Sequence, residues 1–110
     1  MAQSTHEIEQ QAREAGRRPT QPQLLFFYSP TSGVSRRVEG FVAQVLQRRH
    51  NHQSFVLRRI DADQNPDLAE RFRVDQLPTL IVVADKQVQA RIEAPRGCAE
   101  ITRALARWLN

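Results

Sequence analysis

Between residues 24 and 28 the chain reads LLFFY, five apolar or aromatic positions without a charge, the length of a buried strand. The run stops at Ser29-Pro30-Thr31, and the period then changes. Val34, Val38, Phe41, Val42, Val45 and Leu46 fall on one face of a helix predicted over 33–49. Residues 55–62 form a second predicted strand, interrupted by Arg58-Arg59. A strand, helix and strand of this length make a right-handed crossover, with the two strands parallel. Pro66 suits the first turn of a short helix over 66–73 that buries Leu68, Ala69 and Phe72. Residues 79–84, TLIVVA, are apolar almost throughout and predict a central strand. A tight turn at Asp85-Lys86-Gln87 joins them to residues 88–92 as a hairpin. Pro95 and Gly97 break the chain before a last helix over 98–109, whose inward positions are Ile101, Leu105, Trp108 and Leu109. Upstream, Ser4 and Glu7 have the spacing of a capping box for a helix ending near Gly16. The chain thus divides into an N-terminal helix and linker (1–22) and an α/β domain (23–110), a mixed sheet with helices on both faces.

Composition narrows the function classes. The 110 residues are 40% hydrophobic and 25% charged, the balance of one ordinary globular domain. No stretch approaches the roughly 20 apolar residues of a membrane helix, and the polar first 23 residues lack the apolar core of a secretory signal. No membrane association and a bacterial-type cytoplasmic location are therefore expected. Cys98 is the only cysteine, so no disulfide forms within the chain. The net charge is +4, and Lys86 is the only lysine. The arginines occur in pairs, at 17-18, 36-37, 48-49 and 58-59. Adjacent residues diverge on a helix or strand, so such pairs build no stripe along an element, and a nucleic-acid partner is not expected.

Particular residues carry a resemblance to the thioredoxin family over about four fifths of the chain, from Leu24 onward. Phe27-Tyr28 stands where the family has Phe-Trp, and Ser32-Gly33-Val34-Ser35 where it has Cys-Gly-Pro-Cys. Arg36 replaces the Lys that follows. Asp63-Gln64-Asn65-Pro66 and Phe72-Arg73-Val74…Leu77-Pro78-Thr79-Leu80 also match family patterns. The resemblance implies a thioredoxin-like fold, a cis bond before Pro78, and a peptide-binding groove in which Leu77 offers its backbone, bordered by Tyr28 and Thr31. The family's first strand has no counterpart here, which makes the strand over 55–62 an expected edge, protected by its arginines.

The chemistry does not carry over. Dithiol exchange needs a thiolate and a second, resolving thiol, and Ser32 and Ser35 supply neither. The family's buried Asp behind the dithiol corresponds to Phe26. Without a thiol to serve, a buried carboxylate is only a desolvation cost, which Phe replaces with packing. A hydrolytic role for Ser32 needs a nearby base. His50 and His52 lie beyond the far end of the long helix, roughly 25 Å away at about 1.5 Å per residue. Both serines are expected to cap the helix. Cys98, at the start of the last helix near Arg96, is the candidate reactive thiol. The His50-x-His52 pair is too small a set for a metal site, so neither metal nor cofactor is expected. The leading expectation is a redox-inactive module that binds another protein or peptide. A single-thiol redox protein using Cys98 and a partner-switching regulatory module are the alternatives.

Overall fold

The computed structural model describes residues 21–110; the N-terminal helix predicted from Ser4 lies outside them. Strand β1 (Gln23–Tyr28) leads through helix α1 (Gly33–Gln47) and a 3-10 segment (Arg48–Gln53) to β2 (Val56–Asp61). Helix α2 (Pro66–Arg71) precedes the pair β3 (Thr79–Ala84) and β4 (Gln87–Glu93), and α3 (Cys98–Leu105) follows. The sheet order is β2-β1-β3-β4, with β1 parallel to β2 and antiparallel to β3.

Strand alternation sorts β1 onto two cores. Leu24 and Phe26 join Val38, Val42, Val45, Ile101 and Leu105, under α1 and α3. Leu25 and Phe27 join Ile60, Leu68, Ile81 and Val83, under α2. Helices therefore cover both faces, and β1 and β3, buried on both sides, occupy the centre as their unbroken apolar runs require. Among the described residues β2 is an edge, and Leu57 and Arg59 are exposed on it.

The helices end earlier than their apolar periods suggest, each for an identifiable reason. The period of α1 predicts a helix to 49, but Arg49 and His50 both have left-handed backbone (φ 52° and 59°), which stops it at Gln47. The loop expected at 50–53 is instead a 3-10 turn built on Asn51, only 3% exposed. Its Nδ2 donates to Arg48 O (2.8 Å), and its Oδ1 accepts from Ser54 Oγ (3.0 Å) and Asn110 N (2.7 Å). Helix α2 stops at Arg71 rather than 73 in a Schellman arrangement: Arg73 N donates to Glu70 O, Val74 N to Ala69 O, and Arg73 has φ 54°. Helix α3 tightens after Leu105 into turns in which Trp108 N donates to Leu105 O (3.0 Å). Trp108 and Leu109, expected inside, are half-buried, with Trp108 tilted against Phe55. The hairpin turn is the two-residue Asp85-Lys86, both with positive φ, the geometry that follows the twist of the strands.

Candidate functional site

The sheet register brings four loops to one end of the molecule. Tyr28 pairs with Asp61, Phe27 with Thr79, and Thr79 with Glu93. The segments after β1, after β2, before β3 and after β4 therefore all leave the sheet where the parallel strands β1 and β2 end, which is where open α/β sheets place ligands. Two backbone bonds tie these loops together, Ala62 N to Tyr28 O (3.0 Å) and Ala94 N to Pro78 O (2.8 Å).

The β1–α1 turn is held by its own hydroxyls. Ser32 is the N-cap of α1, with extended backbone (φ −95°, ψ 124°), and its Oγ accepts from Ser35 N at 3.2 Å. Ser35 is only 2% exposed, and its Oγ accepts from Ser29 N at 3.1 Å. Ser32 N in turn donates to Ser29 O (3.1 Å). The two serines thus stitch the strand end to the helix start. Gly33 and Val34 lie on the outside of that turn, Val34 at 49% exposure, with Pro30 and Thr31 also exposed.

Across this end of the sheet, Pro78 is buried and the Leu77–Pro78 peptide bond is cis. The Leu77 side chain packs against the core under α2. Its peptide N–H and C=O have no hydrogen-bond partner among the described residues. An open backbone donor and acceptor at the same end of the sheet as the exposed Val34 suit an extended chain, which takes main-chain bonds for affinity and side-chain contacts for selectivity.

Behind the turn, Phe26 is 2% exposed and stacks on Tyr28 with ring centroids 5.6 Å apart. Tyr28 is half-buried, and the Arg59 guanidinium lies 5.0 Å from its ring centre. Arg59 also pairs with the Glu39 carboxylate, so one side chain ties β2 to α1 over the tyrosine. Arg91, on β4, donates to the Phe72 and Arg73 carbonyls and so clasps the chain that leads to Leu77. Sequence reasoning missed these roles. Arg59 was legible only as an edge-strand charge, and Arg91 carried no signal because its partners lie 18 and 19 residues away.

The remaining candidates fall elsewhere. Cys98 is half-buried against the middle of α1, where its Sγ lies 3.1 Å from Gln44 Oε1 and 3.8 Å from Phe41 O. Phe41 is about 9 Å along the helix from Ser35 at about 1.5 Å per residue, so the thiol and the serines face different surroundings. His50 and His52 are exposed beyond the opposite end of α1. Among the described residues no three His, Cys, Asp or Glu side chains cluster as metal ligands, and no helix is long and apolar enough to cross a membrane.

Comparisons with known proteins agree with this architecture. The family model for thioredoxin matches residues 4–107. A thioredoxin of Mycobacterium tuberculosis is 29% identical over 85 residues, which span 77% of this chain and 72% of that protein. A thioredoxin-like protein of Synechocystis is 27% identical over 84 residues, covering 76% and 78% of the two chains. The X-ray structure of Fasciola hepatica thioredoxin superposes with a TM-score of 0.76 over 94% of this chain and 93% of that one, at 17% identity.

Proposed function

The chain belongs to the thioredoxin family, and from that premise we propose that it is a member without dithiol chemistry, which binds an extended segment of another protein in the cytoplasm. One observation carries this reading: the positions where the family resemblance places a reactive dithiol hold hydroxyls committed to the backbone. Ser32 Oγ caps Ser35 N and Ser35 Oγ caps Ser29 N. A hydroxyl forms no mixed disulfide, and no second cysteine accompanies Cys98 to resolve one. The surroundings of the turn support a peptide-binding groove. Tyr28, Thr31 and Val34 border it on one side, the open backbone of Leu77 before Pro78 on the other, and the segment from Ala94 to Gly97 closes it.

The test separates binding from redox chemistry. Wild type, Cys98→Ser and Val34→Arg are immobilised and exposed to a native lysate, and a disulfide-reduction assay is run in parallel. Wild type and Cys98→Ser should retain the same partner, held through washing with reductant, while Val34→Arg retains none and keeps the wild-type circular dichroism. Reduction should stay at the level of the reductant alone. Disulfide turnover by the wild type, or loss of the partner with Cys98→Ser, would sink the redox-inert reading. Unchanged retention by Val34→Arg would remove the groove.

A further inference from the structure

At the end of the molecule opposite the serine turn, the C-terminal end of α1, the 3-10 segment and the turn after α3 meet around two adjoining clefts. One, of about 320 Å³, lies between Arg48, Arg49 and Thr102. The other, of about 520 Å³, lies between His50, Gln53, Ser54, Arg107 and Trp108, and Asn110 borders both. Among the described residues no acidic side chain lines either cleft. Residues 40–60 and 101–110 contain no Asp or Glu at all. Asp85, in the β3–β4 turn, lies at the same end of the sheet but outside both linings.

Cations at helix C-termini often do no more than balance the helix dipole, and the magnitudes decide whether that suffices here. Two helix ends carry about −0.5 charge each, roughly −1 together. Arg48, Arg49, Arg103 and Arg107 form no ion pair among the described residues. Their four positive charges exceed that demand by about three, and a terminal carboxylate on Asn110 would still leave about two. The excess is therefore available to an outside anion.

The cluster is also held in place. Arg49 and His50 occupy left-handed backbone that glycine would adopt without steric cost. The buried Asn51, bonded to Arg48, Ser54 and Asn110, keeps them there. The Arg107 guanidinium lies 4.7 Å from the Trp108 ring centre, an arrangement that keeps its planar fork oriented for two oxygens of one phosphate. The two adjoining clefts, one walled by Arg48 and Arg49 and the other by Arg107 and the Trp108 ring, together match the phosphate and base portions of a nucleotide.

We propose that this end of the molecule binds linked phosphates, those of a nucleotide polyphosphate or of a single nucleic-acid strand, with Arg48, Arg49 and Arg107 holding the phosphates and Trp108 beside the ligand. The Arg48-Arg49 pair, which forms no stripe along its own element, joins Arg107 in a single basic surface once the ends of α1 and α3 are brought together.

Trp108 is the only tryptophan, so its emission reports on the cleft directly. The full chain is titrated with inorganic tripolyphosphate and with an oligothymidylate of about 12 nucleotides, at about 50 mM salt and above. A saturable change in emission is expected. Arg48→Gln/Arg49→Gln should weaken binding about tenfold or more and reduce the salt slope with the oligothymidylate by about 1.4, about 0.7 for each arginine that no longer neutralises a phosphate. Arg36→Gln/Arg37→Gln, with the same charge change at the other end of α1, should bind within twofold of wild type. Both double variants are checked for wild-type circular dichroism. Tighter binding of the strand assigns the site to nucleic acid, and equal or tighter binding of tripolyphosphate to a small polyphosphate. No saturable change with either probe, or equal weakening in both double variants, overturns the proposal.

Discussion

Ser32 and Ser35 show how a residue type changes a site without changing its shape. Each side chain stands where the family resemblance places a thiol, and each accepts a hydrogen bond from a backbone N–H. Ser32→Ala should cost about 1 kcal/mol, the usual loss of an N-cap. Ser35→Ala should cost about 1–2 kcal/mol, because it strands the Ser29 N–H beside a buried position. Urea denaturation of the two variants checks both figures, and a Ser35→Ala protein as stable as wild type would contradict the stitching role. Phe26 marks the same change from the inside, filling with an apolar ring the position where the family resemblance places a carboxylate. Restoring one, as Phe26→Asp, should give a stability that falls with rising pH. Burial raises the folded-state pKa of that Asp above its unfolded value of about 3.9, so below that pH the carboxyl is neutral in both states. Above it the unfolded chain ionises first, and stability falls by about 1.4 kcal/mol per pH unit until the folded pKa is passed. The difference in denaturation midpoint between Phe26→Asp and the non-ionising Phe26→Asn, measured from pH 4 to 8, isolates this effect. A difference that stays constant with pH would show that the position is open to water.

At the scale of elements, the ends of the helices are where sequence period and structure part. Helix α2 closes on Arg73 at φ 54°, a conformation disfavoured for a residue with a Cβ. The Schellman bonds and the two bonds that Arg91 donates to carbonyls hold it there. Arg73→Gly should therefore stabilise the domain by about 0.5–1 kcal/mol, and Arg91→Gln should destabilise it by about 1 kcal/mol, a figure kept small by solvent exposure. Chemical denaturation of the two single variants reads both signs. Because Arg91 clasps the segment that leads to Leu77, its loss should also weaken partner retention in proportion to the loosening of that loop, and full retention by a destabilised Arg91→Gln would separate the clasp from the groove. Between the helices and the sheet, Arg59 performs a similar tie, with Glu39 on α1 and Tyr28 on β1.

For the whole molecule, the two ends of the sheet are chemically distinct. One end collects the serine turn, Leu77-Pro78 and the loop after β4, a surface suited to an extended polypeptide. The other collects Arg48, Arg49, His50, Arg107 and Trp108 around clefts with no acidic lining among the described residues. Helix α1 spans the distance between them, about 22 Å for its 15 residues. Groove variants and arginine variants should therefore act independently, as sites this far apart without shared partners generally do.

The strands, the helices and the face each residue buries were legible in the sequence because hydrophobic period is a local property. The apolar runs of β1 and β3 placed them at the sheet centre, and the inward residues of α1 marked its core side. The lack of a paired thiol was legible too, since Cys98 is the only cysteine and residues 32 and 35 are serines. Helix ends were less so: left-handed backbone at Arg49, His50 and Arg73 has no glycine to announce it, and bonds from Asn110 or Arg91 help to hold it. Only the tertiary structure decided what lies beside what. That Leu77 lies at the Ser32 end of the sheet, that Cys98 rests on Gln44 rather than beside the serines, and that Arg107 joins the Arg48-Arg49 pair on one surface all depend on strand order and register. Those are set by burial summed over both cores, and no local stretch of sequence contains that sum.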